Sequence, residues 1–319
     1  MKNLFVAAAA AFTLAAAIPA HASDVILFDP DGSGGVFAPM SIDALDILPG
    51  NGLSMNLTGG SGAGSPGTLL FQANVGVATL DGGIQFFNGQ NGSFFTVVAG
   101  FNEVVTSNTV INAAGDRTIQ FGAPAPTGTQ GFFDIYLQSA SGNNLTGTCF
   151  VASCGGTLVL SGQLINNSNF SGTFTTNLDA NIQPLDQFKG DSYPGVTSIT
   201  GDGSFRADIL VTSSSAYFPN LAALTSFVFA SSQNSLPFLS VDPSACFSSN
   251  GITSCNQPGV ASVGAINGSS GPNTILQTDA SLTFTRSPAA VPEPATLTML
   301  GLGLVGAAAI RRRKMGRKQ

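Results

Sequence analysis

Carboxylates are the side chains of this chain that are best placed to do chemistry. Asp29 and Asp31 lie two residues apart in Phe28-Asp-Pro-Asp-Gly32, a spacing that lets a tight turn direct several oxygens at one hard cation such as Ca²⁺. The full calcium-loop pattern is absent, because no third aspartate follows two residues later and no glutamate closes the segment. A plain turn after a first strand is therefore the favoured interpretation, and a Ca²⁺ site at Asp29 and Asp31 is the alternative.

Acid–base catalysis by two carboxylates is the other chemistry that these residues allow. Glycoside hydrolysis needs two acids that face each other across the scissile bond. Glu103 is the only glutamate before Glu293, and the aspartates are scattered, mostly beside glycine or proline. A polysaccharide hydrolase would need an aspartate pair that the sequence does not single out. We predict that the protein is not an enzyme, and we assign no catalytic residue.

Four cysteines lie in the central part of the chain: Cys149, Cys154, Cys246 and Cys255. An even number of cysteines in an exported chain indicates disulfides, and three connectivities are possible. We favour the local pairs Cys149–Cys154 and Cys246–Cys255, each closing a short loop. A zinc site fits these spacings poorly without histidine, and a catalytic thiol would lack a base to activate it.

The N terminus predicts export. Met1-Lys2 gives a positive start, Leu4–Ile18 is apolar, and Ala20-His21-Ala22 supplies the small residues that precede a signal-peptidase cut. We therefore predict a signal peptide at residues 1–22, with Ala20 and Ala22 as the cleavage positions. Passage through the Sec translocon follows from this prediction.

Removal of the signal peptide and of the basic C-terminal tail described below would change the composition and the net charge of the remaining chain. His21 is the only histidine, so the processed chain has none, which excludes a Ser-His-Asp or Cys-His mechanism within one chain. Four basic residues then stand against seventeen acidic ones, so the net charge is −13, compared with −6 for the whole chain. An acidic surface repels nucleic acid and anionic lipid, and we expect neither as a partner.

Three features follow one another at the C terminus. They are Val-Pro-Glu-Pro at residues 291–294, an uncharged apolar run from Ala295 to Ile310, and Arg311-Arg312-Arg313-Lys314. As a helix the run would reach about 24 Å, short of the roughly 30 Å hydrocarbon core of a bilayer. The basic residues favour the cytoplasmic side. We predict a transient stay in the inner membrane followed by cleavage; a permanent single-pass anchor is the alternative.

This tail resembles the PEP-CTERM sorting signal of Gram-negative bacteria. The resemblance lies in Pro292, Glu293 and Pro294, in the Gly- and Leu-rich Leu300–Leu304, and in the basic stop Arg311–Lys314. It implies that a membrane transpeptidase, an exosortase, recognises the Pro-Glu-Pro motif and removes the tail. It also implies a location at the cell surface or in the extracellular matrix.

The residues between the ends predict one large β domain. Phe133, Ile135 and Leu137 alternate with polar residues, which is typical of a half-buried strand, and further strands are predicted at 68–79, 157–165, 205–212 and 281–286. Turn signals such as Asp81-Gly82 separate the runs. The predicted fold class is all-β, an antiparallel β-sandwich or jelly roll, with a parallel β-helix as the alternative. Short helices are predicted at 42–48 and 221–224.

The predicted organisation has four parts. The signal peptide at 1–22 precedes an exported β-rich domain at 23–286, a linker at 287–291 and the sorting signal at 292–319. The linker contains proline and alanine and would present the cleavage motif.

The domain also resembles the flocculation-associated PEP-CTERM proteins. Nine short segments, in order along the chain, carry this resemblance: 28–32, 45–51, 68–72, 100–103, 133–136, 143–147, 185–188, 193–196 and 241–244. It implies a role in floc formation, in which cells are held together by an exopolysaccharide gel, and it brings no catalytic residues. The cysteines look like an addition to the common pattern.

The function predicted from the sequence is therefore adhesion. A stable acidic β domain outside a Gram-negative cell would associate with extracellular polysaccharide and promote cell aggregation, through many weak hydrogen bonds acting together. Two alternatives stay open: a secreted polysaccharide hydrolase that uses an aspartate pair, and a structural protein that assembles with itself without touching sugar.

Overall fold

The computed structural model describes residues 25–32, 35–57, 60–124, 131–144, 147–151, 154–164, 170–182, 198–221, 226–237, 247–249, 252–254 and 273–285. The chain divides into two compact units, Met1–Thr285 and Arg286–Gln319. All described residues lie in the first unit.

The regular structure of the described residues consists of β-strands and one 3-10 turn at Gln90–Gly92. The strands are β1 (Ile26–Phe28), β2 (Met40–Ile42), β3 (Ala44–Met55), β4 (Pro66–Leu80), β5 (Gly83–Phe87), β6 (Phe94–Val110), β7 (Arg117–Gly122), β8 (Gly131–Gln138), β9 (Thr157–Leu164), β10 (Phe170–Ile182), β11 (Ser198–Ser214), β12 (Ser226–Pro237), β13 (Phe247–Ser249), β14 (Ile252–Ser254) and β15 (Thr274–Thr285). Every pairing among them is antiparallel, which confirms the predicted all-β antiparallel class.

Eleven of these strands form one sheet that closes on itself. The ring runs through β4, β6, β8, β9, β11, β12, β15 and β3, and it closes because β3 also pairs with β4. The long strands β6 and β11 change partners along their length. Residues 94–101 of β6 pair with β8 while 104–110 pair with β7, and β11 pairs with β9 at one end and with β10 at the other. Closure gives both edges of each ring strand a partner.

Phenylalanine fills the interior of the ring. Phe229 of β12 lies at the centre of this packing, with ring centroids 5.1 Å from Phe71, 5.2 Å from Phe133 and 4.9 Å from Phe205. All three contacts are edge-to-face, an arrangement that aromatic rings prefer. Eight strands enclose a space that side chains can just fill, so large rings directed inward from several strands suit this geometry.

The N-terminal hairpin β1–β2 adds a second group of aromatic contacts to the same core. Phe28 of β1 packs against Phe86, Phe95 and Phe218 with centroids 5.5, 5.2 and 5.3 Å away. The backbone N–H of Asp29 donates to the carbonyl of Tyr217 at 2.9 Å. Apolar contacts and a backbone hydrogen bond therefore hold the first described residues against the rest of the domain.

One of the two predicted helices is wrong and most of the predicted strands are confirmed. Residues 42–48 belong to β2 and β3, where Leu45 and Ile47 are buried and alternate with half-buried Asp46 and Leu48. That is the two-residue period of a strand, which outweighs the helical preference of the local composition. Of the other predicted helix, only Leu221 is among the described residues. The strands predicted at 133–137 and 157–165 pair with each other as the hairpin β8–β9, on either side of the first cysteine pair.

Candidate functional sites

The turn after β1 uses the two aspartates as hydrogen-bond acceptors. Asp31 accepts backbone N–H bonds from Gly35, Val36 and Phe37 through its two carboxylate oxygens. Asp29 is buried, and its Oδ1 accepts the backbone N–H of Asp31 at 3.3 Å. Carboxylates commonly hold turns in this way. The geometry favours the turn interpretation, and in the described part of the chain no three His, Cys, Asp or Glu side chains group as metal ligands would.

The loop between β8 and β9 contains a disulfide. Cys149 is bonded to Cys154, with the two Cα atoms 4.9 Å apart, so the predicted first pair is confirmed. Cys149 has a positive φ of 63°, an uncommon backbone conformation for a residue other than glycine. The second predicted pair, Cys246 and Cys255, lies outside the described residues.

The disulfide loop comprises residues 139–156, and its described residues, 139–144, 147–151 and 154–156, fold back over the outside of the sheet. Phe150 lies between the two cysteines in sequence, is fully buried, and packs with Val98 and Val151. Val98 and Thr96 lie on the face of β6 opposite to the interior, since the interior residues of that strand are at odd positions. The hydroxyl of Thr96 donates to the carbonyl of Phe150 at 2.8 Å. The loop is therefore a covering layer that is anchored by an aromatic side chain.

Asparagine side chains fix the same loop to β3 and β4. Asn144 donates to the carbonyl of Pro49 at 3.0 Å, and Asn51 donates to the carbonyl of Asn144 at 2.8 Å. Asn74 both donates to and accepts from the backbone of Gly142, at 2.9 and 2.7 Å. Two of the segments that carry the sequence resemblance, 45–51 and 143–147, thus meet in the fold. Sequence reasoning missed this contact, which spans more than ninety residues.

A carboxyl is buried inside the closed sheet. Glu103 is only 4 % exposed and lies opposite Gly67 of β4, on the same face of β6 as Phe101. Burial raises the pKa of Glu103 to about 7, and a hydrogen bond from Ser54 Oγ to Glu103 Oε1 at 2.8 Å partly opposes that rise. The sequence held a signal for this site, because Glu103 continues the alternation Phe95, Val97, Ala99, Phe101.

Two aspartates on neighbouring strands influence each other. Burial, and secondly the charge of Asp46, raise the pKa of Asp279 to about 6. Burial also raises the pKa of Asp46. Asp46 lies opposite Ser281 on β3–β15, and Asp279 lies where that pairing shifts register, opposite the two β3 residues Leu48 and Pro49. Sequence reasoning did not single out this pair, because its members are more than two hundred residues apart.

The predicted terminal motifs lie outside the described residues. They are Ala20 and Ala22 at the signal cleavage position, Pro292, Glu293 and Pro294, and the basic stop Arg311, Arg312, Arg313 and Lys314. Within the described residues, no helix combines the length and the apolar character needed to cross a membrane.

Comparison with known proteins identifies the C-terminal segment. Residues 290–314 match the family model of the PEP-CTERM protein-sorting motif, a range that includes the Pro-Glu-Pro sequence and the four basic residues. The comparisons with curated proteins and with solved structures give no match. The chain therefore carries a PEP-CTERM sorting motif, the signal of exosortase substrates, which are exported to the cell surface.

Proposed function

We propose that this protein promotes cell aggregation by associating with extracellular polysaccharide, and that it does so without catalysis. The sorting motif at residues 290–314 is the observation that carries this proposal, because it directs the β domain to the place where polysaccharide accumulates. The domain crosses the inner membrane of a Gram-negative cell through the Sec translocon, is held briefly by its C-terminal segment, and is then cut.

The composition of the β domain supports association rather than turnover. The only histidine lies at position 21, in the predicted signal peptide, so a histidine-dependent nucleophile is not available to the processed chain. The processed chain is acidic and rich in Ser, Thr and Asn, whose side chains offer hydrogen bonds to sugar hydroxyls. Single contacts of this kind are weak, and they gain strength when many copies on one cell bind the same polymer. Divalent cations would bridge the aspartates to acidic sugars.

The fold supports a durable extracellular role. The closed sheet leaves few strand edges, and the disulfide loop is fixed to it by Phe150, Asn51 and Asn144. A disulfide is stable in an oxidising location outside the cytoplasm.

Deletion of the gene tests the proposal. Cells without the gene should stay dispersed while they still make polysaccharide, and the wild-type gene should restore aggregation. A gene with Pro292, Glu293 and Pro294 all changed to alanine should not restore it, because the domain would stay unsorted. Purified processed protein should also sediment with isolated exopolysaccharide. Unchanged flocs in the deletion strain would contradict the proposed function.

A second candidate, hydrolysis of polysaccharide, is favoured by one observation, the acid pair Asp46 and Asp279. Two acids with raised pKa values near each other are a common arrangement at catalytic sites. The pair can be tested directly by measuring polysaccharide chain length after incubation with wild-type protein, with Asp46→Asn and with Asp279→Asn. The exposed Asp202→Asn is the matched control. If only wild type and the control variant shorten the polysaccharide, the result favours a hydrolase. If chain length is unchanged with all four proteins, the hydrolase candidate is ruled out.

A further inference from the structure

Strand β5 lies at an open edge of the eleven-stranded sheet. Of its eleven strands, β5 alone pairs on a single side within the described residues: it pairs with β4, through Phe87 opposite Val77 and Ile84 opposite Thr79. All other strands of that sheet have two or more partners. An unpaired edge carries backbone N–H and C=O groups that a further strand can bind.

The side chains of β5 leave that edge open to pairing. Its sequence is Gly-Ile-Gln-Phe-Phe, with neither a charge nor a proline, the residues that commonly block edge pairing. Ile84 is 50 % exposed and Phe87 is 58 % exposed, and both lie opposite residues on the outer face of β4. The contact of Gln90 Oε1 with the Phe87 backbone N–H is 3.5 Å long, at the limit of hydrogen bonding, so an incoming strand can displace it.

Charge indicates which partner this edge accepts. The processed chain has seventeen acidic and four basic residues, so most of its surface repels a second copy. Residues 82–102 contain no charged residue at all. Two acids lie near β5: Asp81 in the turn before it and Asp43, whose Oδ2 accepts the Asp81 backbone N–H; both are at the Gly83 end of the strand. Antiparallel pairing of two copies keeps these acidic ends apart, so the β5 edge is a place where two copies can approach with little like-charge repulsion. Antiparallel pairing of a strand with its own copy has two-fold symmetry and closes as a dimer.

We propose that β5 of one copy pairs antiparallel with β5 of a second copy, so that the sheets of two molecules continue into each other. The apolar side chains Ile84 and Phe87 of the two copies then lie on one face of the joined sheet and cover each other. Five residues per copy make a small contact, and a small contact is weak on its own. On two cell surfaces that each carry many copies, such weak contacts act together. This contact is between proteins, so it goes beyond the association with polysaccharide.

Sedimentation velocity of the processed protein, extracted from cells, tests the proposal over about 1 µM to about 1 mM. Wild type should show a concentration-dependent dimer. Ile84→Lys and Phe87→Lys each place a charge at the edge, and each should raise the concentration of half-dimerisation at least about tenfold. The matched control is Val110→Lys, an equally exposed apolar residue at the end of β6, and it should dimerise as wild type does. Thermal melting confirms that each variant is folded.

Amide hydrogen exchange at β5 gives an independent measurement that needs no variant. The β5 amides should become protected as the protein concentration rises through the dimer transition. A wild-type protein that stays monomeric over this range would overturn the proposal. Equal loss of dimer in all three lysine variants would also overturn it, as would protection of β5 that is already complete in the monomer, which would show that another segment of the same chain covers the edge.

Discussion

Ionisation of Glu103 should make the domain less stable as the pH rises. The carboxyl is enclosed by the sheet, and burial raises its pKa from the ordinary value of 4.5 to about 7. Because the folded state holds the proton more tightly than the unfolded state, this group contributes its full stability below about pH 4.5 and loses it as the pH rises to about 7. The difference between the two pKa values corresponds to about 3 kcal/mol.

The substitution Glu103→Gln isolates this contribution. Glutamine has nearly the same size, stays neutral at every pH, and keeps an oxygen that can accept the hydrogen bond from Ser54. Urea unfolding of the processed protein between pH 4 and pH 8.5 measures the free energy of unfolding. We expect wild type and variant to be about equal at pH 4, and the variant to be more stable by about 3 kcal/mol at pH 8.

A second variant checks the cause of this effect. Ser54 donates to the charged carboxylate and so lowers its pKa, against the larger effect of burial. Ser54→Ala should therefore extend the loss of stability to higher pH than in wild type. Asp46, Asp134 and Asp279 also have raised pKa values, but they are the same in all variants and cancel in the difference. A difference between wild type and Glu103→Gln that does not change with pH would refute the reasoning.

Three further predictions concern packing and the disulfide loop. Phe229→Ala should lower the free energy of unfolding by about 3–5 kcal/mol in urea titration, because a ring at the centre of the core is lost; a loss below 1 kcal/mol would contradict its central position. Asn144→Ala removes the donor to the Pro49 carbonyl and should cost about 1–3 kcal/mol in the same titration, whereas no change would mean that water replaces the bond. Cys154→Ser should cost about 2 kcal/mol and speed proteolysis within residues 139–156; unchanged cleavage would show that Phe150 holds the loop without the disulfide.

Much of the fold followed from local patterns in the sequence. The alternation in 133–137 places Phe133 and Ile135 in the core as predicted, and Asp81-Gly82 forms the two-residue turn between β4 and β5, with positive φ at both residues. These features depend on neighbours in sequence. A period of two and a turn that needs positive φ can be recognised from a few residues.

The closed sheet and the sites on it depend on contacts between distant residues. The pairing of β4 with β6 and of β3 with β15 decides closure, and no local pattern specifies which strands pair. Asp46 and Asp279 come together only because β3 and β15 are neighbours, and Asn51 reaches Asn144 only after the disulfide loop folds over the sheet. Long-range pairing of this kind is set by the packing of the whole core.

Some of the segments on which the predicted flocculation resemblance rests have a structural role in the fold. Segments 45–51 and 143–147 touch through Asn51, Asn144 and Pro49, and segment 100–103 contributes the buried Glu103. These residues hold the disulfide loop and shape the interior. These segments therefore contain residues that build the domain, and the proposed binding of polysaccharide is to be tested on exposed Ser, Thr and Asn side chains.

Mass spectrometry of the protein extracted from the cell surface tests the central claim most directly. As an exosortase substrate whose β domain works outside the cell, the protein should lose both of its ends. The intact mass should correspond to a chain that begins at Ser23 and ends at the Pro-Glu-Pro motif, with the Cys149–Cys154 disulfide present. A surface protein that still carries residues 295–319, or a full-length chain found only in the cytosol, would contradict the account.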